Sequence, residues 1–158
     1  MSRDPLMLTP EVYAKWQDFD SRMKAKGLPY ILTCTARWNE EQIILHTQGR
    51  DPLDRVNLYR KSIWLPPLQP GENNIVTWTM NSKHIIHPNQ GILKAKAFDF
   101  AIVKDGKVIW DLKVNVNWNE TPDYAEAGQI GKDCGLIWGG DFRNSAGKPQ
   151  PDYSHLEG

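Results

Sequence analysis

The chain has 158 residues, 40% hydrophobic and 24% charged, a size and balance suited to one compact domain, residues 1–158, built around a single buried core. Lys plus Arg and Asp plus Glu total 19 each, for a formal net charge of +0. That balance excludes a broad basic field for a nucleic-acid backbone and removes the simplest attraction to an anionic surface, so a partner is expected in a cleft.

No stretch reaches the apolar length of a signal peptide or a membrane span, so the expected product starts in the cytoplasm and makes no stable membrane insertion. Cys34 and Cys134 lie too far apart to read as the disulfide framework of a small secreted scaffold, and both are read as buried apolar thiols. The 7 Trp exceed what a core of this size needs, which leaves rings to line a groove.

In chain order, the first predicted element is a helix capped by Thr9, with Pro10 at its first position and Val12, Trp16, Phe19 and Met23 at helical spacing before Gly27 and Pro29 stop it. "YILTCTAR", residues 30–37, is β-branched and aromatic and reads as a strand that leaves Arg37 at its end. Asn39 is expected to cap a second helix that buries Ile43 and Ile44 and ends at Gly49. Residues 50–74 lack a sustained period and read as a long loop, one wall of a groove. "IVTWTM", 75–80, is a plausible strand. "AFDFAIV" and "KVIWDL" flank "KDG", the strongest hairpin signal in the chain, and alternation puts Phe98, Phe100 and Ile102 on one face with Asp99 on the other. A helix is predicted from Thr121 to Gly135, weakened by Gly128 and Gly131, and the glycine pair in "LIWGGDF" requires close backbone approach or a left-handed turn. The sum is an α+β fold, a small antiparallel sheet with flanking helices.

Few polar residues demand an explanation. His46 reads as a surface histidine at the end of a helix. Asp99 stands between two Phe in an apolar strand, so it must face water, be hydrogen-bonded or bind a metal. With His84 and His155 it would form a donor set suited to Zn2+, with a fourth position open in a cleft, although spacing alone does not bring the three together. Asp152, three residues before His155, would then stand beside that open position as a proton acceptor and donor, and Glu157 would orient a ligating imidazole. The competing reading of both acids is a solvated tail. Arg37 is placed to clamp a substrate carboxylate or a developing oxyanion, or to form a salt bridge; Gln42 is placed to support it, to contact substrate or to face solvent.

Several stretches together resemble the zinc D-Ala-D-Ala carboxypeptidase and L-alanyl-D-glutamate endopeptidase family of peptidoglycan peptidases, which includes many phage endolysins. They are "TARWNEEQIILHTQGR" at 35–50, "SKH" at 82–84, "AFDFA" at 97–101, "GLIWGGDF" at 135–142 and "DYSHLE" at 152–157, in matching order. The resemblance implies His84, Asp99 and His155 as zinc ligands, Asp152 as catalytic base, Arg37 as the cation that positions substrate or stabilises the transition state, and Ser82 as a hydrogen-bonding neighbour of the first ligand. It also implies a zinc site in a cleft beside the sheet. One departure is the stretch between His84 and Asp99, longer than the family pattern by about eight residues. It makes His87 an alternative ligand, which "SKH" at 82–84 and Pro88 argue against.

The implied activity is hydrolysis of the L-Ala to D-Glu bond of the peptidoglycan stem peptide by an antimicrobial, monomeric phage endolysin. Such a lysin is made in the host cytoplasm and reaches the wall through a holin's pore. The alternatives are a D,D-carboxypeptidase on D-Ala-D-Ala termini and a non-catalytic, zinc-stabilised wall-binding or virion module.

Overall fold

A computed structural model describes residues 1–158. Its centre is a sheet of five antiparallel strands: β1 (Tyr30–Cys34), β4 (Ala97–Lys104), β7 (His155–Glu157) and β6 (Ile137–Trp138) in that order, with β5 (Lys107–Ile109) paired to the far end of β4. A separate parallel pair joins β2 (Arg37–Trp38) to β3 (Ile85–Ile86). The helices are α1 (Pro10–Ala25), α2 (Asn39–Thr47), α3 (Leu53–Ser62) and α4 (Asp123–Asp133). This is the mixed architecture the sequence pattern implies.

Alternation along β4 divides the molecule into a dry side and a chemical side. Phe98, Phe100 and Ile102 are fully buried against α1 and α4, where the ring of Phe19 lies 5.6 Å from that of Phe98 and 5.7 Å from that of Phe100. Tyr124, Ala127 and Ile130 of α4 close the same core. Each such fully buried large apolar side chain contributes roughly 1.5–3 kcal/mol. Asp99 points the other way.

The glycines of the α4 region serve packing. A Cβ on Gly128 would lie 2.1 Å from the Trp138 indole, and one on Gly131 would lie 2.3 Å from Leu156. Their poor helix propensity is therefore the condition for α4 to sit directly on β6 and β7. The hairpin between β4 and β5 turns through Asp105 (φ 51) and Gly106 (φ 72), the two left-handed residues that a tight Asp-Gly turn requires.

Five expectations are corrected. The strand predicted over 30–37 ends at Cys34, after a bulge between Leu32 and Cys34; the chain then leaves the sheet and re-enters strand geometry at Arg37, now paired to β3. Asn39 is the first residue of α2 rather than its cap; the Glu41 carboxylate accepts the Trp38 N–H at 2.8 Å in that role. Thr9 likewise makes no side-chain cap to α1. Residues 50–74 contain α3, and 75–80 form no strand.

Candidate metal centre and its cleft

The centre is assembled where β4 and β7 run side by side. Their register sets Asp99 opposite His155, and the bulge in β1 sets Cys34 opposite Asp99 from the other edge. His84 comes from the segment before β3 and is held from two directions. Its ring Nδ1 lies 2.8 Å from the Thr35 carbonyl, and its own carbonyl accepts the Arg37 N–H at 3.0 Å. The break after β1 thus frees the Thr35 carbonyl to anchor His84.

Tautomers follow from these partners. A carbonyl only accepts, so His84 Nδ1 carries the proton and Nε2 turns its lone pair toward the centre. His155 mirrors this: its Nε2 donates to the Glu157 carboxylate at 2.9 Å, leaving Nδ1 for the centre. Both imidazoles therefore have the outer hydrogen bond that fixes a ligating ring and raises its basicity. His84 Nε2, His155 Nδ1 and Asp99 Oδ1 lie 3.2, 2.9 and 3.1 Å apart in the pairs His84–His155, His155–Asp99 and His84–Asp99. Donors about 2.0–2.1 Å from a tetrahedral Zn2+ stand roughly 3.3 Å from one another, so the three atoms need spread only slightly to hold such an ion. Three mutually facing acceptors, two of them on buried rings, are also the arrangement that a cation relieves.

Charge compensation shapes the set. Burial opposes ionisation of Asp99, but the charge of His84 and the hydrogen bond of His155 hold its carboxyl well below the ordinary range. Burial lowers both imidazoles, and Asp99 overrides it, so that with no metal bound each is pushed above the ordinary histidine value. Glu157 is lowered by its hydrogen bond to His155. Asp152 is raised, first by burial and then by the negative charge of Asp99.

Asp152 groups with Asp99 and His155, donor atoms of all three lying within 4.8 Å of one another, and its Oδ1 accepts the Ser154 hydroxyl at 3.0 Å. The close approach at Gly139 sets this geometry: a Cβ there would fall 2.4 Å from the Asp152 carbonyl and 3.0 Å from His155 Cβ, while the Gly139 carbonyl accepts the Asp152 N–H at 2.8 Å.

Arg37 is buried, and its Nη2 donates to Asp99 Oδ2 at 3.3 Å while Nη1 donates to Gln42 Oε1 at 3.1 Å. Gln42 is fully buried and donates in turn to Thr77 Oγ1 at 3.0 Å and the Thr79 carbonyl at 2.6 Å, so it does not face solvent. Ser82 lines the cleft and its Oγ accepts the His84 N–H at 3.3 Å. His87 is not brought to the centre; it lines a separate hollow with Trp38 and Glu40, on the turn of the long 85–98 segment.

Two neighbours went unnoticed in the sequence. Cys34 Sγ groups with His84 and Asp99 and accepts from Arg37 Nη2 at 3.3 Å, so this thiol belongs to the site and not to the apolar core. The Phe142 ring lies 5.5 Å from that of His155. Only the strand register discloses the first, and "TCTAR" carries no local sign of it. The centre opens into a cleft of about 430 Å³ whose far wall is Arg143, Asn144, Ser145 and Gln150.

Comparison with known proteins finds no matching family profile. Over 133 residues the chain is 32% identical to the peptidoglycan L-alanyl-D-glutamate endopeptidase CwlK of Bacillus subtilis (strain 168), covering 84% of this chain and 62% of that protein, to which it is homologous. The chain thus spans less than two thirds of that relative's length. The crystal structure of Serratia marcescens L-Ala D-Glu endopeptidase ChiX shares the fold, with a TM-score of 0.50 over 97% of this chain and 81% of that one at 14% identity.

Proposed function

We propose that this chain, homologous to an L-alanyl-D-glutamate endopeptidase, is a member of the zinc D-Ala-D-Ala carboxypeptidase and L-alanyl-D-glutamate endopeptidase family and a zinc-dependent peptidase that hydrolyses the L-Ala to D-Glu bond of the peptidoglycan stem peptide. The observation that carries the proposal is the convergence of His84 Nε2, Asp99 Oδ1 and His155 Nδ1 at the floor of a cleft that Asp152 also lines.

Zinc held by His84, Asp99 and His155 would supply Lewis acidity at the cleft floor. The remaining work falls to the chain. Asp152, raised by burial and by Asp99, is suited to take the proton of the attacking water and return it to the departing amide nitrogen, since a general acid and base works best with its pKa drawn toward the working pH. The Ser154 hydroxyl donates to Oδ1 of Asp152, which lines the cleft, and so steadies that carboxylate. Arg37 fixes Asp99 through Oδ2 and keeps a permanent positive charge beside the carbonyl oxygen that becomes negative. Gln42 holds the guanidinium in place. Arg143 on the far wall offers charge to the carboxylates of the stem peptide.

Digestion of purified peptidoglycan by the zinc-loaded protein tests this reading. New N-terminal D-Glu is expected among the products; release of terminal D-Ala alone would overturn it in favour of a carboxypeptidase. Asp152→Asn is expected to stay folded and keep its metal while hydrolysis falls by about 10²–10⁴-fold, the usual worth of a positioned general base. A variant that hydrolyses as fast as the parent would remove Asp152 from the proton-carrying role, whereas a zinc-loaded parent that binds the wall without cutting it would favour a wall-binding module. Deployment as an endolysin is part of the same proposal, supported by the landmark stretches, and a fall in turbidity of outer-membrane-permeabilised cells on adding the protein tests it.

A further inference from the structure

A second hollow, of about 250 Å³, adjoins the cleft and shares Val76, Trp78 and Asp152 with it. Its character is different. Trp78 is 56% exposed, Trp110 59% and Leu112 45%, so three large apolar side chains stand uncovered immediately beside the proposed proton carrier. The Arg50 guanidinium lies 5.8 Å from the Trp78 ring centroid and is itself tied to the carbonyls of His46, at 2.7 Å, and Thr77, at 3.1 Å, which holds that indole in place. The floor is Tyr124, whose hydroxyl donates to the Ile109 carbonyl at 2.8 Å and is therefore already satisfied.

The two ends of the cleft thus offer opposite chemistry: Arg143 and Asn144 at one, indoles and a leucine at the other. A stem peptide cut between L-Ala and D-Glu has matching polarity. Beyond the bond on the C-terminal side lie carboxylates, the linear side chain of a diamino acid and small methyl groups; on the N-terminal side L-Ala is joined by an amide to a lactyl group whose ether links it to a pyranose. That sugar is the one broad group near the bond with an apolar C–H face, and such faces pack on the electron-rich face of an indole.

We propose that Trp110, with Trp78 and Leu112, forms a subsite for the N-acetylmuramoyl sugar on the N-terminal side of the scissile bond. The inference rests on the endopeptidase reading and adds a substrate class to it: glycan-attached stem peptides are preferred over peptides already released from sugar. It also orients the substrate, with carboxylates toward Arg143.

The test compares N-acetylmuramoyl-L-Ala-D-Glu peptides with N-acetyl-L-Ala-D-Glu peptides lacking the sugar, using zinc-loaded parent, Trp110→Ala and Trp110→Phe. The parent is expected to favour the sugar-bearing substrate in kcat/KM by about tenfold, the scale of one well-packed aromatic anchor. Trp110→Ala should abolish that preference with the sugarless rate unchanged, and Trp110→Phe should restore most of it. Equal losses on both substrates, or an undiminished preference in Trp110→Ala, would overturn the subsite. If neither substrate is cleaved by the parent, the endopeptidase reading fails, and titration with N-acetylmuramoyl-L-alanine then decides the subsite separately. Saturable quenching of tryptophan fluorescence that is lost in Trp110→Ala supports it; its absence in the parent refutes it.

Discussion

His84, Asp99 and His155 set two lone pairs and a carboxylate oxygen against one another at 2.9–3.2 Å, a group that only a proton or a cation makes stable. This fixes the pH behaviour of the metal-free chain. Both histidines have folded-state pKa values raised above the unfolded value of about 6.5, so their contribution is complete below that pH and is lost as pH rises through the folded values. Asp99 is lowered, so its contribution is complete above about pH 3.9 and is lost only on further acidification. Without metal, the melting temperature should therefore fall as pH is raised from mildly acid to alkaline. Zinc needs the deprotonated rings, so the rise in melting temperature that it causes should grow over the same range. Thermal scans with and without zinc check both slopes; a zinc increment that shrinks as pH rises would contradict the ligand set. At this scale the sequence was informative where a residue violated its surroundings. Asp99 between two Phe announces itself, whereas Cys34 between two Thr does not, because its proximity to Asp99 depends on a bulge that no local pattern encodes.

Elements position these residues by close approach. Gly139, in the short helical turn after β6, carries Asp152 and His155 against its backbone where no side chain fits. Gly139→Ala is expected to displace the turn at 152–155 and weaken zinc affinity by about tenfold or more, the usual cost of disturbing the support of a metal ligand, as read by competition with a chelator. Phe19→Ala acts on the opposite side of the sheet. It should cost about 3–5 kcal/mol in denaturant unfolding and leave zinc affinity of the folded protein unchanged. The elements easiest to read were those whose period matched their burial: α1 with Val12, Phe19 and Met23 inward, and the β4–β5 hairpin with its Asp-Gly turn. α3 was illegible because Val56 is its only buried residue, so it has almost no apolar stripe. Its end signals were present all the same, with Pro52 before it, Asp54 in the first turn and Arg60 and Lys61 in the last. "IVTWTM" has strand composition but makes no ladder; its Thr77 and Thr79 instead brace Gln42 behind Arg37.

Across the whole molecule, one sheet separates an aromatic core from a polar cleft, and the last eight residues complete both. Leu156 enters the core while Asp152, His155 and Glu157 face the centre. Ending the chain at Gln150 is accordingly expected to abolish zinc binding and hydrolysis together, and a shortened protein that binds zinc and cuts would refute this role for 151–158. The antiparallel sheet and flanking helices could be anticipated from pattern and composition. The meeting of residues 84, 99 and 155 could not, since it depends on strand order and register, and only the family resemblance pointed to it. The most direct test is zinc content after equilibrium dialysis of the parent and of His84→Ala, His87→Ala, Asp99→Ala and His155→Ala, each shown to be folded by circular dichroism. One zinc per chain is expected in the parent and in His87→Ala, with loss in the other three; full zinc retention and activity in His84→Ala would contradict the ligand set.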